Sequence, residues 1–448
     1  MSRFFGTDGV RGRAGVAPLD VATVRRLGGA LSRALRPAEG SPVFLAGRDT
    51  RESGDWIERE LAHGMASQGG RLVSAGVIPT PAIAFLTPRH GFTAGVVISA
   101  SHNPFEDNGI KVFSGTGEKF TEMHEQRVEA IMADLSWSAP DGGPAVIETR
   151  DYRDDYLAHL GGVLPAGVSV AGWRVVVDCA NGATTTVAPR LFETLGCDAR
   201  FIGCEPDGRN INLGCGSTSL GRLADAVVAG GYRLGIAFDG DGDRALFVDA
   251  AGRTVDGDAV MLMCAKDMKR QGRLRGNGVV ATVMSNLGLE LALRDAGIDM
   301  VRTAVGDKYV MEEMLKRDLA IGGEQSGHVI FGEYLFTGDG LATALHVLAT
   351  MAATGRELGD LASELTTYPQ VLLNLRVAQR FDLDSVPSIA AVMQSVQSRL
   401  AGKGRLLVRY SGTEPLLRVM LEGEDQEQIR QWGEEILDAV RQHAAAPV

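Results

Sequence analysis

Residues 234–244 read LGIAFDGDGDR, a five-residue apolar run that breaks directly into three aspartates separated by glycines. The run has the length and composition of a buried strand, and the glycines mark a loop at its end. In an extended loop alternate residues face one side, so Asp239, Asp241 and Asp243 are expected to converge. Like charges ~4 Å apart repel by about 4 kcal/mol per pair at an effective dielectric of about 20, and a bound divalent cation removes that repulsion. Oxygen-only ligands favour Mg²⁺, Mn²⁺ or Ca²⁺ over zinc. An EF-hand loop is disfavoured, because Arg244 stands where it needs glycine and Ala250 where it needs glutamate.

Outward from this junction, strand-length apolar runs recur at 43–46, 95–99, 174–178, 278–283 and 319–322. Stretches with helical spacing of apolar residues alternate with them at 55–67, 184–195, 287–295 and 339–351. Such alternation predicts α/β units with crossover helices covering the sheets. After Pro369 the pattern changes to strand (371–377), helix (386–400), a strand pair around SGTEP, and a final amphipathic helix (425–443), a compact α+β appendage. Length alone, 448 residues, suggests about three domains. Chain punctuation falls near 138–144 (SAPDGGP), at Gly230 and Gly231, and at 366–369 (TTYP).

The balance of 45 basic against 56 acidic residues, a formal charge of −11, argues against nucleic acid or an anionic membrane as partner. An anionic substrate must then meet a local basic cluster. Five cysteines without a C-x-x-C pair give no disulfide or zinc framework. The amino terminus has no apolar signal region, and the longest apolar stretch, 341–353, falls short of the ~20 residues that span a bilayer. A reduced cytoplasmic protein is expected.

Four further segments carry candidate chemistry. In VVISASHNP (96–104) Ser101 sits where a turn would expose its hydroxyl; His102 is expected to point elsewhere, and an Asn-Pro turn is the plainer reading. Lys111 can return towards Ser101 across a turn or be a surface charge. In AIGGEQSGH (320–328) Glu324, Ser326 and His328 alternate and suit a sugar's hydroxyls, although a glycine-rich turn before a capped helix has the same look. RYSGTEP (409–415) sets Arg409, Ser411, Gly412 and Thr413 as either a phosphate cradle or a hairpin turn. FGTDGVRG (5–12) places Arg11 in a glycine-flanked loop.

Taken together, SASHNP, DGDGDR, GEQSGH, RYSGTEP and FGTDGVRG resemble the α-D-phosphohexomutase superfamily, from Phe5 to Pro415 and in order. MSNLGLE (284–290) and TAVGDKYV (303–310), with Gln325 and Ser326, are most similar to its phosphoglucosamine mutase branch rather than to the phosphomannomutases and phosphoglucomutases of the same fold. The resemblance implies an α/β fold of three related α/β domains with mixed, helix-covered sheets (1–145, 146–250, 251–367) and a C-terminal α+β domain (368–448) around a central cleft. It implies that Ser101 carries a phosphoryl group as phosphoserine and joins Asp239, Asp241 and Asp243 in holding one Mg²⁺. Lys111, Arg11 and His328 are assigned to catalysis. Arg244, Gly306, Asp307, Glu324, Ser326, Arg409, Ser411, Gly412 and Thr413 are assigned to the substrate. The implied substrate is a phosphorylated amino sugar, the activator a sugar 1,6-bisphosphate, and the assembly a monomer or homodimer. Lys308 departs from the arginine usual in that branch, which weakens any bidentate phosphate contact.

Overall fold

A computed structural model describes residues 4–6, 8–140, 146–377, 379–400, 402–411 and 416–445. The chain divides into two compact units, one of residues 1–284 with 297–364, the other of 285–296 with 365–448.

The first unit contains three mixed sheets built on one plan. The first runs in spatial order Val10–Arg13, Asp107–Ser114, Ala94–Ile98, Val43–Arg48, Arg71–Val77 and Glu148–Thr149, with Ala94–Ile98 parallel to Val43–Arg48 but antiparallel to Asp107–Ser114. The second is ordered Thr254–Val255, Ala245–Asp249, Leu234–Phe238, Arg174–Asp178 and Asp198–Ile202. The third is ordered Asp299–Thr303, Gly278–Thr282, Ile321–Gly323 and Val329–Phe331. In each, one parallel strand ends in a short polar loop and the chain turns back as its antiparallel neighbour. Those three loops are 99–106, 239–244 and 324–328, the segments with candidate chemistry. They lie beyond the carboxyl ends of parallel strands, where open α/β sheets bind their ligands.

The strands Ala94–Ile98 and Leu234–Phe238 are buried at every position, as expected of strands covered on both faces. The helices Val21–Ala34 and Gly54–Ser67 cross closely because Gly28 and Gly64 lie at the contact: a Cβ on Gly64 would stand 1.8 Å from the Arg25 carbonyl oxygen. Gly64→Ala is therefore expected to destabilise the first sheet layer by about 3 kcal/mol, seen as an earlier first transition in denaturant. Helix Gly340–Thr354 is buried from Gly340 to Met351, which accounts for its apolar character on all faces. Asp339 caps it by accepting from Ala342 N at 2.9 Å.

One expected helix differs. Residues 184–195 form a 3₁₀ turn, Ala183–Thr186, and a separate helix, Ala188–Thr194. The hydroxyls of Thr185 and Thr186 bond back to Gly182 O and Ala183 O, and Pro189 removes a donor from the next turn. Helix Leu287–Asp295 is present as expected, yet it groups with the C-terminal residues: Asn286 exchanges hydrogen bonds with Tyr368, and Leu287 N donates to Glu422 Oε2 at 3.2 Å.

The second unit also has the antiparallel sheet Gln370–Arg376, Leu416–Gly423 and Gly404–Tyr410, with helices Pro387–Leu400 and Gln426–Ala445 packed against it. Among the described residues no helix is long and apolar enough to cross a membrane.

Candidate active site

The carboxylates of Asp239, Asp241 and Asp243 offer ligand oxygens within 4.8 Å of one another, and all three residues are buried. Convergence comes from a turn rather than from the extended loop expected: Gly242 N donates to Asp239 O at 3.1 Å, with Gly242 at φ +73°. Gly240 admits the neighbouring loop, since a Cβ there would meet Ser101 O at 2.5 Å. Asp241 Oδ1 and Asp243 Oδ1 are buried without a hydrogen-bond partner among the described residues. Buried anionic oxygens that lack donors are costly unless a cation meets them, so this donor set fits a hard divalent metal. Burial, then Asp243 and Asp241, push the Asp239 carboxyl well above its usual range.

Ser101 lies against this triad. Its hydroxyl donates to Asp239 Oδ2, and the residue is 1% exposed rather than presented to solvent as the turn suggested. The aspartate loop covers it. His102 also departs from expectation: its Nδ1 lies 3.4 Å from Ser101 Oγ and 3.1 Å from Arg244 Nη1. Arg244 N donates to Asp239 Oδ1 at 3.2 Å, and its side chain reaches the cleft beside Asp243.

Lys111 is no surface charge. It sits opposite Val97 in the ladder, 2% exposed, with Nζ at 2.9 Å from Asp241, 3.2 Å from Asp243 and 3.1 Å from Asp8. Burial opposes its charge, but Asp241, Asp8 and Asp243 outweigh burial and hold the ammonium well above its usual pKa. Arg11 belongs to the strand Val10–Arg13, paired with Gly109, not to a loop, and it donates to Asp8.

The third sheet contributes Glu324 and His328 across a tight hairpin closed by Glu324 N to His328 O at 2.9 Å, so no helix starts there. Glu324 accepts from Gly306 N at 3.1 Å and from Ser326 Oγ at 3.2 Å, so Ser326 supports the carboxylate. His328 stands between Asp243 (Nδ1, 3.6 Å) and Asp307 (Nε2, 3.3 Å); when the ring is neutral with its proton on Nδ1, Nε2 accepts from Gly338 N at 3.0 Å. Burial disfavours the imidazolium, while Asp243 and Asp307 more than restore it. A cavity of about 480 Å³ opens among Asp8, Arg11, Asp243, Arg244, Gly306, Asp307, Glu324 and His328. Lys308 Nζ lies 3.7 Å from Glu125.

Two contributors had no place in the sequence reading. Asp8 joins Lys111 to Lys119, and Lys119 bridges to Asp307, closing a ring of alternating charges through His328 and Asp243. Asp8 stands inside the glycine-flanked segment FGTDGVRG, which marks it; Lys119, in SGTGEKF, has no local signal. In the C-terminal unit Arg409 lies on Gly404–Tyr410, and Ser411 N donates to Leu416 O at 2.8 Å. Arg409 and Arg380 line one shallow depression there, and Arg380 donates to Ser411 O. Gly412 and Thr413 lie outside the described residues.

Comparison with known proteins matches four family models in order: phosphoglucomutase/phosphomannomutase alpha/beta/alpha domain I at residues 2–138, domain II at 154–252, domain III at 256–368 and the C-terminal domain at 372–439. Phosphoglucosamine mutase of Solibacter usitatus is 49% identical over 98% of both chains, and that of Syntrophotalea carbinolica 46% identical over 98% of both. A crystal structure of a phosphoglucomutase/phosphomannomutase family protein from Burkholderia thailandensis shares the fold, with a TM-score of 0.81 at 23% identity over 100% of this chain and 98% of that one.

Proposed function

The chain belongs to the phosphoglucosamine mutases of the phosphoglucomutase/phosphomannomutase family, and from that premise we propose that it interconverts glucosamine 6-phosphate and glucosamine 1-phosphate through a phosphoserine at Ser101. The observation that carries this reading is the Ser101 hydroxyl bonded to Asp239 at the edge of the buried aspartate triad.

Ser101 passes its phosphoryl group to one hydroxyl of the sugar phosphate, and the resulting bisphosphate returns a phosphoryl from its other end after turning round. Transfer of this kind is largely positioning and electrostatics. Asp239, Asp241 and Asp243, with the oxygen of Ser101, would hold one Mg²⁺, which when bound neutralises phosphoryl charge and polarises its oxygens. Arg11 and Arg244 bring positive charge to the transferred group. Glu324, steadied by Ser326 and by Gly306 N, grips the sugar, with Asp307 beside it. Lys111 and His328, each held by carboxylates, are the groups placed to hold and move the proton of the accepting hydroxyl. Arg409 and Ser411 are read as part of the distal phosphate cradle that serves both substrate orientations, to which the resemblance also assigns Gly412 and Thr413. The reading includes domains at 1–145, 146–250, 251–367 and 368–448, a sugar 1,6-bisphosphate activator, a monomer or homodimer, and a cytoplasmic location.

The substrate is tested by kcat/KM for the glucosamine, glucose and mannose phosphates. The glucosamine phosphate is expected to lead by at least about tenfold, roughly 1.4 kcal/mol of transition-state binding. A tenfold lead for a neutral hexose phosphate, about the same energy with opposite sign, overturns the assignment.

A further inference from the structure

The loop that presents Ser101 hangs on a side chain to which the reaction gives no part. Arg51, in GRDTR just beyond the strand Val43–Arg48, is 1% exposed. Its Nε donates to Asp49 Oδ2 at 2.8 Å, Nη1 to Asp107 O at 3.0 Å and to Pro104 O, and Nη2 to Ser101 O at 3.0 Å and Asn103 O at 2.8 Å. All donors of the planar fork are thereby engaged, and the carbonyls of the loop are turned inward onto one cation. The amide side of Ser101 is tied to the ion-pair partner of Arg51: Ser101 N donates to Ser99 Oγ at 2.9 Å, and Ser99 Oγ donates to Asp49 Oδ2 at 2.5 Å.

A second grip comes from another sheet layer. Asn212 Nδ2 donates to Ser101 O at 2.9 Å and to Asn103 O at 3.1 Å. Ser101 itself sits at φ +53°, a conformation that residues with a side chain adopt only when their surroundings enforce it. Asp49 lies against the Arg51 guanidinium, so the arginine offers the loop its geometry more than its field.

We propose that Arg51, seconded by Asn212, is a positioning residue for phosphoryl transfer, fixing the backbone of Ser101 so that Oγ stays aimed at Asp239 and the cleft while its charge changes during turnover. The proposal rests on the reading of Ser101 as the phosphoryl carrier. Lysine cannot replace the fork, because its three donors radiate from one atom and cannot span the same carbonyls. Displacement of a reacting group by about 1 Å costs about 100-fold in rate.

The test uses full-length wild type, Arg51→Lys and Asn212→Ala, with kcat and KM, peptide mass spectrometry of Ser101, the ³¹P resonance of the phosphoserine and the thermal midpoint. Arg51→Lys is expected to lose about 100-fold in kcat at unchanged KM, with a shifted ³¹P resonance. Asn212→Ala is expected to show the same split at about tenfold, losing one of two grips. A purely structural role would lower the midpoint and the active fraction but leave the resonance of folded molecules in place, and that result overturns the proposal. So does a folded Arg51→Lys with wild-type kcat or a loss carried by KM. If Arg51→Lys does not fold, Asn212→Ala decides: wild-type kcat with an unmoved resonance overturns the proposal, a kcat loss at unchanged KM upholds it. Absence of phosphate from wild-type Ser101 would defeat the carrier reading itself, whereas phosphate on wild type with unaffected variants defeats the Arg51 proposal alone.

Discussion

Ser101→Ala is expected to lower kcat by roughly 10⁴-fold or more while the protein still folds, because a covalent carrier cannot be replaced by its neighbours. The fold should survive: the bonds to the Ser101 carbonyl from Arg51 and Asn212, and from its amide to Ser99, use only the backbone atoms of residue 101 and persist in alanine. What disappears is the hydroxyl that donates to Asp239. Mass spectrometry of wild type should find phosphate on the peptide containing Ser101, discharged by glucosamine phosphate with Mg²⁺, and none on the alanine variant. A Ser101→Ala protein with full mutase activity removes the mechanism.

Asp239→Asn is expected to separate stability from activity. In the metal-free protein the charged Asp239 carboxylate is opposed by burial and by Asp243 and Asp241, so neutralising it raises the thermal midpoint. The site accommodates the amide: its oxygen accepts one of the two donors that Asp239 faces, Arg244 N, and the Ser101 hydroxyl rotates to accept from its nitrogen. The pH sign follows from linkage. A carboxyl whose folded pKa is raised makes the metal-free protein most stable below its ordinary value of 3.8, and that contribution is lost as pH rises from there through the folded value. Asp243, held well below the usual range as its charged partners outweigh burial, contributes the opposite way: stability present above 3.8 and lost as pH falls. The difference between wild type and Asp239→Asn isolates the first contribution, so the stabilisation by asparagine should grow as pH rises from 3.8. Activity should fall by on the order of 10³-fold or more, the equivalent of several kcal/mol of charge stabilisation at the transferred group. The increase in thermal midpoint on adding Mg²⁺ to wild type should shrink or vanish in the variant. An Asp239→Asn protein with a wild-type Mg²⁺ response and wild-type kcat would remove Asp239 from the metal site.

Much of the fold could be read along the chain because its signals are local. An apolar run such as 234–238 is a strand wherever it occurs, and glycines with aspartates at its end make a turn whatever surrounds it. The same locality explains the errors. The turn at 239–244 looked extended because a glycine-driven reversal and an extended loop share a composition. Residues 184–195 looked like one helix because apolar spacing does not record that Thr185 and Thr186 bond back to the main chain. Arg11 looked like a loop residue between glycines, whereas its strand forms only when Asp107–Ser114 lies alongside.

Residue order along the chain is enough for the family, the strand-end loops and the chemistry each can support: a hydroxyl at Ser101, three carboxylates at 239, 241 and 243, a carboxylate and an imidazole at Glu324 and His328. That these groups meet, and with what neighbours, follows from packing alone. Lys119 reaches Asp307 across 188 positions, Lys111 reaches Asp241 across 130, and Arg51 grips Ser101 across 50. Lysine, arginine and aspartate are ordinary surface residues in any short window; burial beside a distant opposite charge is what makes them part of a site, and that burial is created by the packing of three separate sheets.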